Sequence, residues 1–441
     1  MDINRILQKL GVEELNPMQQ EAIEAILRSR NDVVVLSPTG TGKTLAYLLP
    51  LVQLLDAQSD EVQALVVVPG RELALQSDTV LKNMGSGLRS QSCYGGRAAM
   101  DEHRVLRQNH PQIVFGTPGR LNDHLSKGNI LADHIRYLVI DEFDKCLEMG
   151  FQDEMARLIE QLPALQRRFL LSATDAEQIP SFVELQRTTR LDYLDAEEPV
   201  SDRVEVFRVD CPEKDKLATL AGLLRSLGNG QSIVFLNYRD SVERTDEYLR
   251  QQGFVTSAFH GGLEQRQRED ALYKFSNGSA TVLVSTDLAS RGLDIPQIDN
   301  IIHYHLPQSE DALVHRVGRT ARWDASGRTF FLVGPEEQLP AFVADGAEPY
   351  SLPVQASAAP LPAPRMATIY IGKGKKDKIS KGDIVGFLCK KGGLTTSEIG
   401  RIDVNDRYAY AAIVRGKVSQ VIRQTSGEKI KGIRTVVEPV K

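Results

Sequence analysis

Short runs of β-branched and other apolar residues recur along the chain and alternate with stretches whose apolar positions fall at helical spacing. The runs are Asp32–Leu36, Gln63–Val68, Ile113–Gly116, Tyr137–Ile140 and Phe169–Ser172 in the first half, and Ser232–Leu236, Val255–His260, Thr281–Ser285, Asp299–His303 and Arg328–Val333 in the second. Continuous apolar strands between helical stretches predict parallel sheets covered on both faces. Two such units follow one another, residues 1–198 and 203–345, hinged on the acidic, Pro-containing stretch Asp195–Asp202, which repeats with neither period. Gly346–Arg365 holds five prolines among Ala and Ser and predicts an extended linker. Beyond it, Thr368–Gly372, a helical stretch Lys381–Leu388 and Tyr408–Val414 predict a small α+β domain over 366–441. The expected fold class is α/β, with two doubly wound parallel-sheet domains and a small α+β tail.

Composition narrows the class. At 441 residues, with 41% hydrophobic and 25% charged residues, the chain can bury a core in each of about three domains. No stretch approaches the roughly 18 apolar residues of a membrane helix. The first residues mix Asp2, Arg5, Lys9, Glu13 and Glu14 with apolar ones, unlike a secretory signal. The four cysteines, Cys93, Cys146, Cys211 and Cys389, lie far apart without a C-x-x-C pair. The expectation is a cytoplasmic, reduced monomer, metal-free as far as its cysteines go. The net charge of −5 hides an asymmetry, because residues 366–441 carry 16 Lys+Arg against 7 Asp+Glu and the rest 37 against 51. A basic module on an acidic body points to nucleic-acid contact concentrated in the tail.

Chemistry enters between the first strand and the helical stretch Thr44–Leu55. Ser37-Pro38-Thr39-Gly40-Thr41-Gly42-Lys43-Thr44 is a phosphate-binding loop in its strand-to-helix setting, with Ser37 where the pattern usually has Gly. Backbone N–H groups and the helix dipole favour phosphate oxygens there. Lys43 supplies a point charge toward the β- and γ-phosphates, and the Thr44 hydroxyl is placed to ligate Mg²⁺. Leu138-Val139-Ile140 ends in Asp141-Glu142-Phe143-Asp144, which brings carboxylates to the same strand edge. Asp141 is assigned to the metal, through water, and Glu142 to the attacking water.

These residues, taken in order, resemble the DEAD-box helicases over about residues 10 to 340. Asp141–Asp144 looks like motif II with Phe143 in place of Ala, Ser172-Ala173-Thr174 like motif III, and Pro69–Ala74 like motif Ia with Gly70 in place of Thr. Gly95-Gly96 and Thr117-Pro118-Gly119-Arg120 resemble the GG and Ib motifs, and Pro17-Met18-Gln19 the end of the Q motif. In the second unit, Ile233–Asn237 resembles motif IV and His260-Gly261-Gly262 with Gln265 and Arg268 motif IVa. Thr286-Asp287 with Arg291-Gly292-Leu293-Asp294 resembles motif V, and His315–Arg322 motif VI with Ala321 in place of Gly.

The resemblance implies two tandem RecA-like domains. It implies an ATP site of Gln19, Ser37, Pro38, Thr39, Gly40, Thr41, Gly42, Lys43 and Thr44, joined from the second unit by Gly292, Asp294 and the arginine fingers Arg319 and Arg322. A finger of this kind is worth roughly 10³ to 10⁵ in rate in other nucleotide hydrolases. Ser172, Ala173, Thr174, Asp144, His315 and Arg316 would couple that site to RNA. Arg71, Gly96, Thr117, Arg120, Gln265, Arg268, Thr286 and Asp287 would line the RNA path, contacting phosphates and 2′-hydroxyls rather than reading bases.

Thr368–Gly372 and Arg407–Tyr410 resemble degenerate RNP2 and RNP1 strands, whose aromatics Tyr370, Tyr408 and Tyr410 would stack on bases. The tail is similar to the RRM-like domain of the DbpA subfamily, which implies large-subunit ribosomal RNA as partner. The reading is an ATP- and Mg²⁺-dependent RNA helicase that unwinds locally. Two other readings stand beside it: a DNA-directed translocase on the same paired core, and an RNA clamp without turnover, motivated by Phe143, Gly70 and Ala321.

Overall fold

Val33 and Val35 pack into one apolar core while Val34 and Leu36 pack into another, so the first apolar run is buried on both faces. That is the outcome of an unbroken apolar run in a structure of period two. The computed structural model describes residues 3–96, 99–175, 179–194, 204–287, 298–317, 327–344, 346–353 and 360–440. In it this run is β1 (Asp32–Leu36), part of a seven-stranded sheet. The other strands are β2 (Ala64–Val67), β3 (Ser90–Cys93), β4 (Ile113–Gly116), β5 (Tyr137–Ile140), β6 (Arg167–Ser172) and β7 (Thr188–Asp192). The order is β3-β4-β2-β5-β6-β1-β7 with every pairing parallel. Ala64, Val66 and Val139 extend the first core, and Leu65, Val67, Leu138 and Ile140 the second.

The strands β3 and β7 have no counterpart in the apolar pattern. Both are outer strands, reading Ser-Gln-Ser-Cys and Thr-Thr-Arg-Leu-Asp, and β7 buries only Leu191 fully. A strand with one neighbour is held by main-chain bonds and needs no apolar run.

The described residues up to Leu194 form one compact unit, and those from Val204 on form a second that includes the tail. Its sheet comprises β8 (Val204–Asp210), β9 (Ser232–Leu236), β10 (Thr256–Phe259), β11 (Val282–Thr286), β12 (Asn300–His303), β13 (Gly327–Val333) and β14 (Glu348–Pro349). The order is β10-β11-β9-β12-β13-β8-β14, again all parallel. The start of the expected linker is corrected here. Pro349 pairs with Arg208 in β14, the Tyr350 N–H donates to the Arg208 carbonyl at 2.7 Å, and the Tyr350 ring stands edge-on to Phe207 and Phe330. Proline is tolerated there because β14 is an edge strand. The expected hinge, 195–202, lies outside the described residues.

In the tail, β15 (Met366–Ile371), β16 (Ile399–Val404) and β17 (Ala409–Val414) are followed by the hairpin β18 (Lys429–Ile430) and β19 (Ile433–Arg434), then β20 (Val437–Pro439). The antiparallel sheet has the order β16-β17-β15-β20. Helix Lys381–Lys390 is capped by Ser380 in a box with Asp383, and with helix Val418–Thr425 it covers one face. Ile369, Ile371, Ala411 and Ile413 pack there against Ile384, Leu388 and Val421. Tyr370 and Tyr410, alternating with these residues and opposite each other in register, project from the other face.

Candidate functional site

The strands of a parallel sheet all end on one edge, so the residues that follow them collect there. After β1 the chain turns through 37–42 into the helix Lys43–Leu54. Gly40 and Gly42 have φ of 89° and 82°, and a Cβ on Gly42 would lie 2.3 Å from the Gln19 amide nitrogen. The positive φ favours glycine at that second position, and any side chain there would displace the Gln19 amide. Lys43 is buried, and its Nζ donates to the Ser37 and Pro38 carbonyls at 2.5 and 2.8 Å, closing the loop on itself. Ser37 Oγ donates to Thr41 Oγ1 at 2.8 Å and Thr41 Oγ1 to the Pro38 carbonyl at 2.9 Å. Ser37 therefore serves as a loop staple that glycine could not provide. Thr39 and Thr44 are half-buried on the same turn.

Gln19 is brought to this loop by helix Pro17–Arg28. Asn16 caps that helix, accepting the Gln19 N–H at 2.8 Å while its own N–H donates to Gln19 Oε1 at 3.1 Å. Gln19 Nε2 then donates to the Gly42 carbonyl at 3.1 Å, and Asn16 Nδ2 to the Thr41 carbonyl at 2.9 Å. The amide expected to read adenine is thus tied to the phosphate loop. Asn16 escaped the sequence reading, although Asn-Pro-Met-Gln is a capping-box signature.

Beyond β5, Asp141 and Glu142 are both buried, and Glu142 takes a φ of 50°. The Glu142 N–H donates to Asp141 Oδ1 at 2.9 Å. Burial first, and the Glu142 charge second, push the Asp141 carboxyl up to about 7, with Lys43 opposing them. Glu142 Oε2 is buried with no hydrogen-bond partner among the described residues. Adjacent buried carboxylates with an orphaned oxygen are a donor set that fits a hard cation such as Mg²⁺. Thr174 Oγ1 donates to Asp144 Oδ2 at 3.4 Å, and Ser172 Oγ donates to the Thr174 carbonyl at 2.6 Å, so the ends of β5 and β6 are joined. Ala173 is buried beside them. Phe143 turns into the second core with Cys146 and Leu158, and so packs behind the carboxylates.

The same edge carries the residues expected to meet RNA. Arg71 opens the helix after β2, Gly96 follows β3, and Thr117 and Arg120 begin the helix after β4. Gly96 has φ +92°, and a Cβ there would meet Arg71 Nη1 at 2.8 Å, so the two expected contacts adjoin. Arg120 approaches Glu102 on the helix Ala99–Asn109. Glu102, Cys93 and His124 bring ligand-type atoms within 4.8 Å of one another, all buried. No sequence spacing announces that cluster, because its members come from three elements.

In the second unit, Gln265 and Arg268 lie on helix Gln265–Ser276. Arg268 is buried, stacked over Phe259 and donating to the His260 carbonyl at 3.4 Å, while Gln265 donates to Glu269 at 2.9 Å. Thr286 ends β11, half-buried. Asp287 is held by Arg316 through two bonds, Nε to Oδ1 at 2.5 Å and Nη2 to Oδ2 at 2.7 Å. Arg316, 1% exposed, also donates to His303 Nδ1, the His305 carbonyl and Asn237 Oδ1. It ties together the ends of three strands and keeps Asp287 engaged within the protein. Burial and the neighbouring Arg316 charge hold His303 well below its usual range, so Nδ1 accepts and Nε2 faces Thr329. Gly292, Asp294, Arg319 and Arg322 lie outside the described residues, as does the His315 side chain.

The tail tyrosines do not form an open stacking platform. Tyr410 is 1% exposed, stacked on Tyr273 at 4.8 Å, and its hydroxyl donates to Asp270. Tyr408 donates to Glu269, and Arg266 lies over Tyr370 at 4.6 Å. Helix Gln265–Ser276 covers the face that the RNP resemblance assigns to bases. A base could stack on Tyr410 only after that helix was displaced.

Three family models match consecutive stretches of the chain: the DEAD/DEAH box helicase over residues 16–181, the helicase conserved C-terminal domain over 215–324, and the DbpA RNA binding domain over 368–439. The ATP-dependent RNA helicase DbpA of Escherichia coli is 36% identical over 439 residues, spanning 97% of this chain and 94% of that protein. Its Bacillus subtilis counterpart is 31% identical over 462 residues, spanning 98% and 96%. Among solved structures, Mss116p bound to ssRNA and AMP-PNP matches with a TM-score of 0.71 at 26% identity, covering 81% of this chain and 79% of that one. S. cerevisiae Dbp5 bound to RNA and ADP BeF3 matches at 0.67 and 25%, covering 75% and 88%. Identity at this level, running through both sheets and on through the tail, means that the chain belongs to the DEAD-box ATP-dependent RNA helicases of the DbpA type, enzymes that hydrolyse ATP and bind RNA.

Proposed function

We propose that this helicase couples ATP hydrolysis to closure of its two units on RNA, and so opens or remodels short duplexes locally. ATP would occupy the loop 37–44, with Lys43 and Gln19 exchanging their loop carbonyls for phosphate and adenine. Thr44 and Asp141 would hold Mg²⁺, Asp141 partly through water, and the ion supplies the positive charge that offsets phosphates and carboxylates together. Glu142 orients and deprotonates the attacking water. Arg319 and Arg322 complete the site from the second unit with Gly292 and Asp294, while Ser172, Ala173, Thr174, Asp144, His315 and Arg316 relay closure to RNA. The working parts are 1–198, 203–345 together with the strand Glu348–Pro349, the linker that remains up to 365, and the tail 366–441. The basic tail selects large-subunit ribosomal RNA, and the protein works as a cytoplasmic monomer.

The observation that carries this reading is the buried Glu142 Oε2 beside Asp141, without a hydrogen-bond partner among the described residues, on the strand edge that also bears the phosphate loop and Arg120. The test is ATP turnover by the full chain with large-subunit ribosomal RNA fragments, unrelated RNA of equal length, and matched DNA. Ribosomal fragments are expected to stimulate most, and Lys43→Ala or Glu142→Gln to abolish turnover. Equal stimulation by DNA would sink the RNA coupling, and equal stimulation by unrelated RNA would sink the ribosomal target alone.

A further inference from the structure

Beneath the RNA edge of the first unit lies a carboxylate that ATP chemistry does not use. Glu102 is 4% exposed and lies beside the buried Cys93, on a helix whose Leu106 joins an apolar core with Cys93, Leu121 and Leu125. A buried charge in such company is costly unless each oxygen is engaged, and an apolar residue of similar size would commonly be at least as stable. Both oxygens of Glu102 are engaged, and the two do different things. Oε1 accepts the Tyr94 N–H at 3.1 Å, at the root of the Gly95-Gly96 turn. Oε2 faces His124 Nε2 at 2.9 Å and Arg120 Nε at 3.5 Å.

His124 is fully buried, with His103 edge-on at 5.2 Å, and His103 in turn meets Asn129 Nδ2 at 2.9 Å. His124 Nδ1 is buried without a hydrogen-bond partner among the described residues, which leaves Nε2 as the protonated nitrogen facing Glu102. Of Glu102, His124 and Arg120, it is Arg120 that reaches outward, its side chain 14% exposed. A guanidinium held on its Nε side by a fixed carboxylate keeps its plane and loses little freedom when it grips a phosphate.

We propose that Glu102 is a positioning residue for RNA binding, aiming Arg120 at the RNA backbone through Oε2, with His124 fixing the carboxylate from below. The inference rests on the reading of Arg120 as an RNA contact. It assigns the Cys93–Glu102–His124 cluster to hydrogen-bonded support and not to a metal, although the three residues offer ligand atoms to one. Burial, the foremost cause, holds the Cys93 thiol well above its usual range, opposing the thiolate that a metal would need.

Glu102→Gln tests the idea at the level of one atom, because the amide keeps a carbonyl for Tyr94 and replaces the oxygen facing Arg120 with a group that cannot accept. In the full chain, the RNA concentration giving half-maximal ATPase stimulation is expected to rise about three- to fivefold, the scale of one ion pair at this separation. kcat at saturating RNA and the KM for ATP should stay at the parent values. Arg120→Ala should raise the RNA requirement at least as much, and adding Glu102→Gln to it should change it less than about twofold, since the carboxylate acts through the arginine. Multiplying effects in the double variant, or an unaltered RNA requirement in Glu102→Gln where Arg120→Ala raises it, overturn the positioning role.

An Arg120→Ala protein with parental RNA dependence would instead sink the underlying assignment of Arg120, a different failure. Should Glu102→Gln not fold, Arg120→Lys at the partly exposed position answers the same question. It keeps the charge but loses the planar fork, and is expected to raise the RNA requirement, parental behaviour counting against the proposal. Stoichiometric zinc in the purified full chain, lost in Glu102→Gln, would overturn it in favour of a metal site.

Discussion

Glu142 carries two unfavourable features at once: a φ of 50° and a buried carboxylate oxygen without a hydrogen-bond partner among the described residues. Such positions cost of order 1–3 kcal/mol and persist where function retains them. Glu142→Gln is therefore expected to raise the melting temperature of the first unit while abolishing ATP turnover, which calorimetry and an ATPase assay on one preparation would read together. A lowered melting temperature would mean that the carboxylate serves the fold. Lys274 makes a second residue-scale case, since burial, with nearby Arg250 second, pulls its amine down to about 8 from an ordinary 10.5. Below about pH 8 the amine is charged in both folded and unfolded chains, and the fold bears the full burial cost. Between about 8 and 10.5 it is neutral only when folded, so stability climbs with pH, by on the order of 3 kcal/mol across the window. Urea midpoints across that range should rise for the parent and rise less for Lys274→Met.

At the scale of elements, helix Gln265–Ser276 works on two sides. Gln265 and Arg268 are the expected RNA contacts, and Arg268 turns toward His260 and Phe259. Arg266, Glu269, Asp270 and Tyr273, at spacings of three and four, form a stripe that receives Tyr370, Tyr408 and Tyr410 of the tail. Burial, the largest effect on it, raises the Asp270 carboxyl above its ordinary range, and the Tyr410 hydroxyl partly restores it. Tyr410→Phe removes the donor and leaves a half-buried carboxylate short of a partner, so it should cost the second unit about 1 kcal/mol in urea denaturation. An unchanged midpoint would show that the tail is undocked in solution.

At the scale of the whole molecule, the tail belongs energetically to the second unit. Tyr273 is 6% exposed with the tail in place, and its hydroxyl donates to the Arg401 carbonyl at 2.7 Å. Asn277 donates to Thr368 Oγ1 at 2.8 Å and Arg415 to the Ser279 carbonyl at 2.6 Å, adding polar ties along the same boundary. A chain ending at Arg365 is accordingly expected to melt its second unit at a lower temperature than the full chain in scanning calorimetry. Any loss of RNA selectivity on truncation then has a stability component, so selectivity is better read from the full chain. The excess of positive charge in 366–441 should make RNA binding by the full chain fall steeply with salt, a slope that a binding titration over a salt series measures directly.

Much of this was legible from local pattern, because local pattern is what it depends on. Buried parallel strands announce themselves as apolar runs, and β1, β4, β5 and β9 begin and end where the runs do. A phosphate loop must be contiguous, since one turn of backbone has to surround one group of oxygens, so Ser37–Thr44 could be read directly. The sequence by itself thus determined the two parallel sheets, the family and the nucleotide loop. What only the tertiary structure decided is whatever depends on elements distant in the chain meeting. The polar edge strands β3 and β7, the linker residues recruited into β14, Arg316 spending itself on Asp287, Glu102 beneath Arg120, and a helix covering the tail's tyrosines are of this kind. Each is a contact between side chains or strand edges that no spacing along the chain encodes, settled by which surfaces the packed sheets and helices bring together.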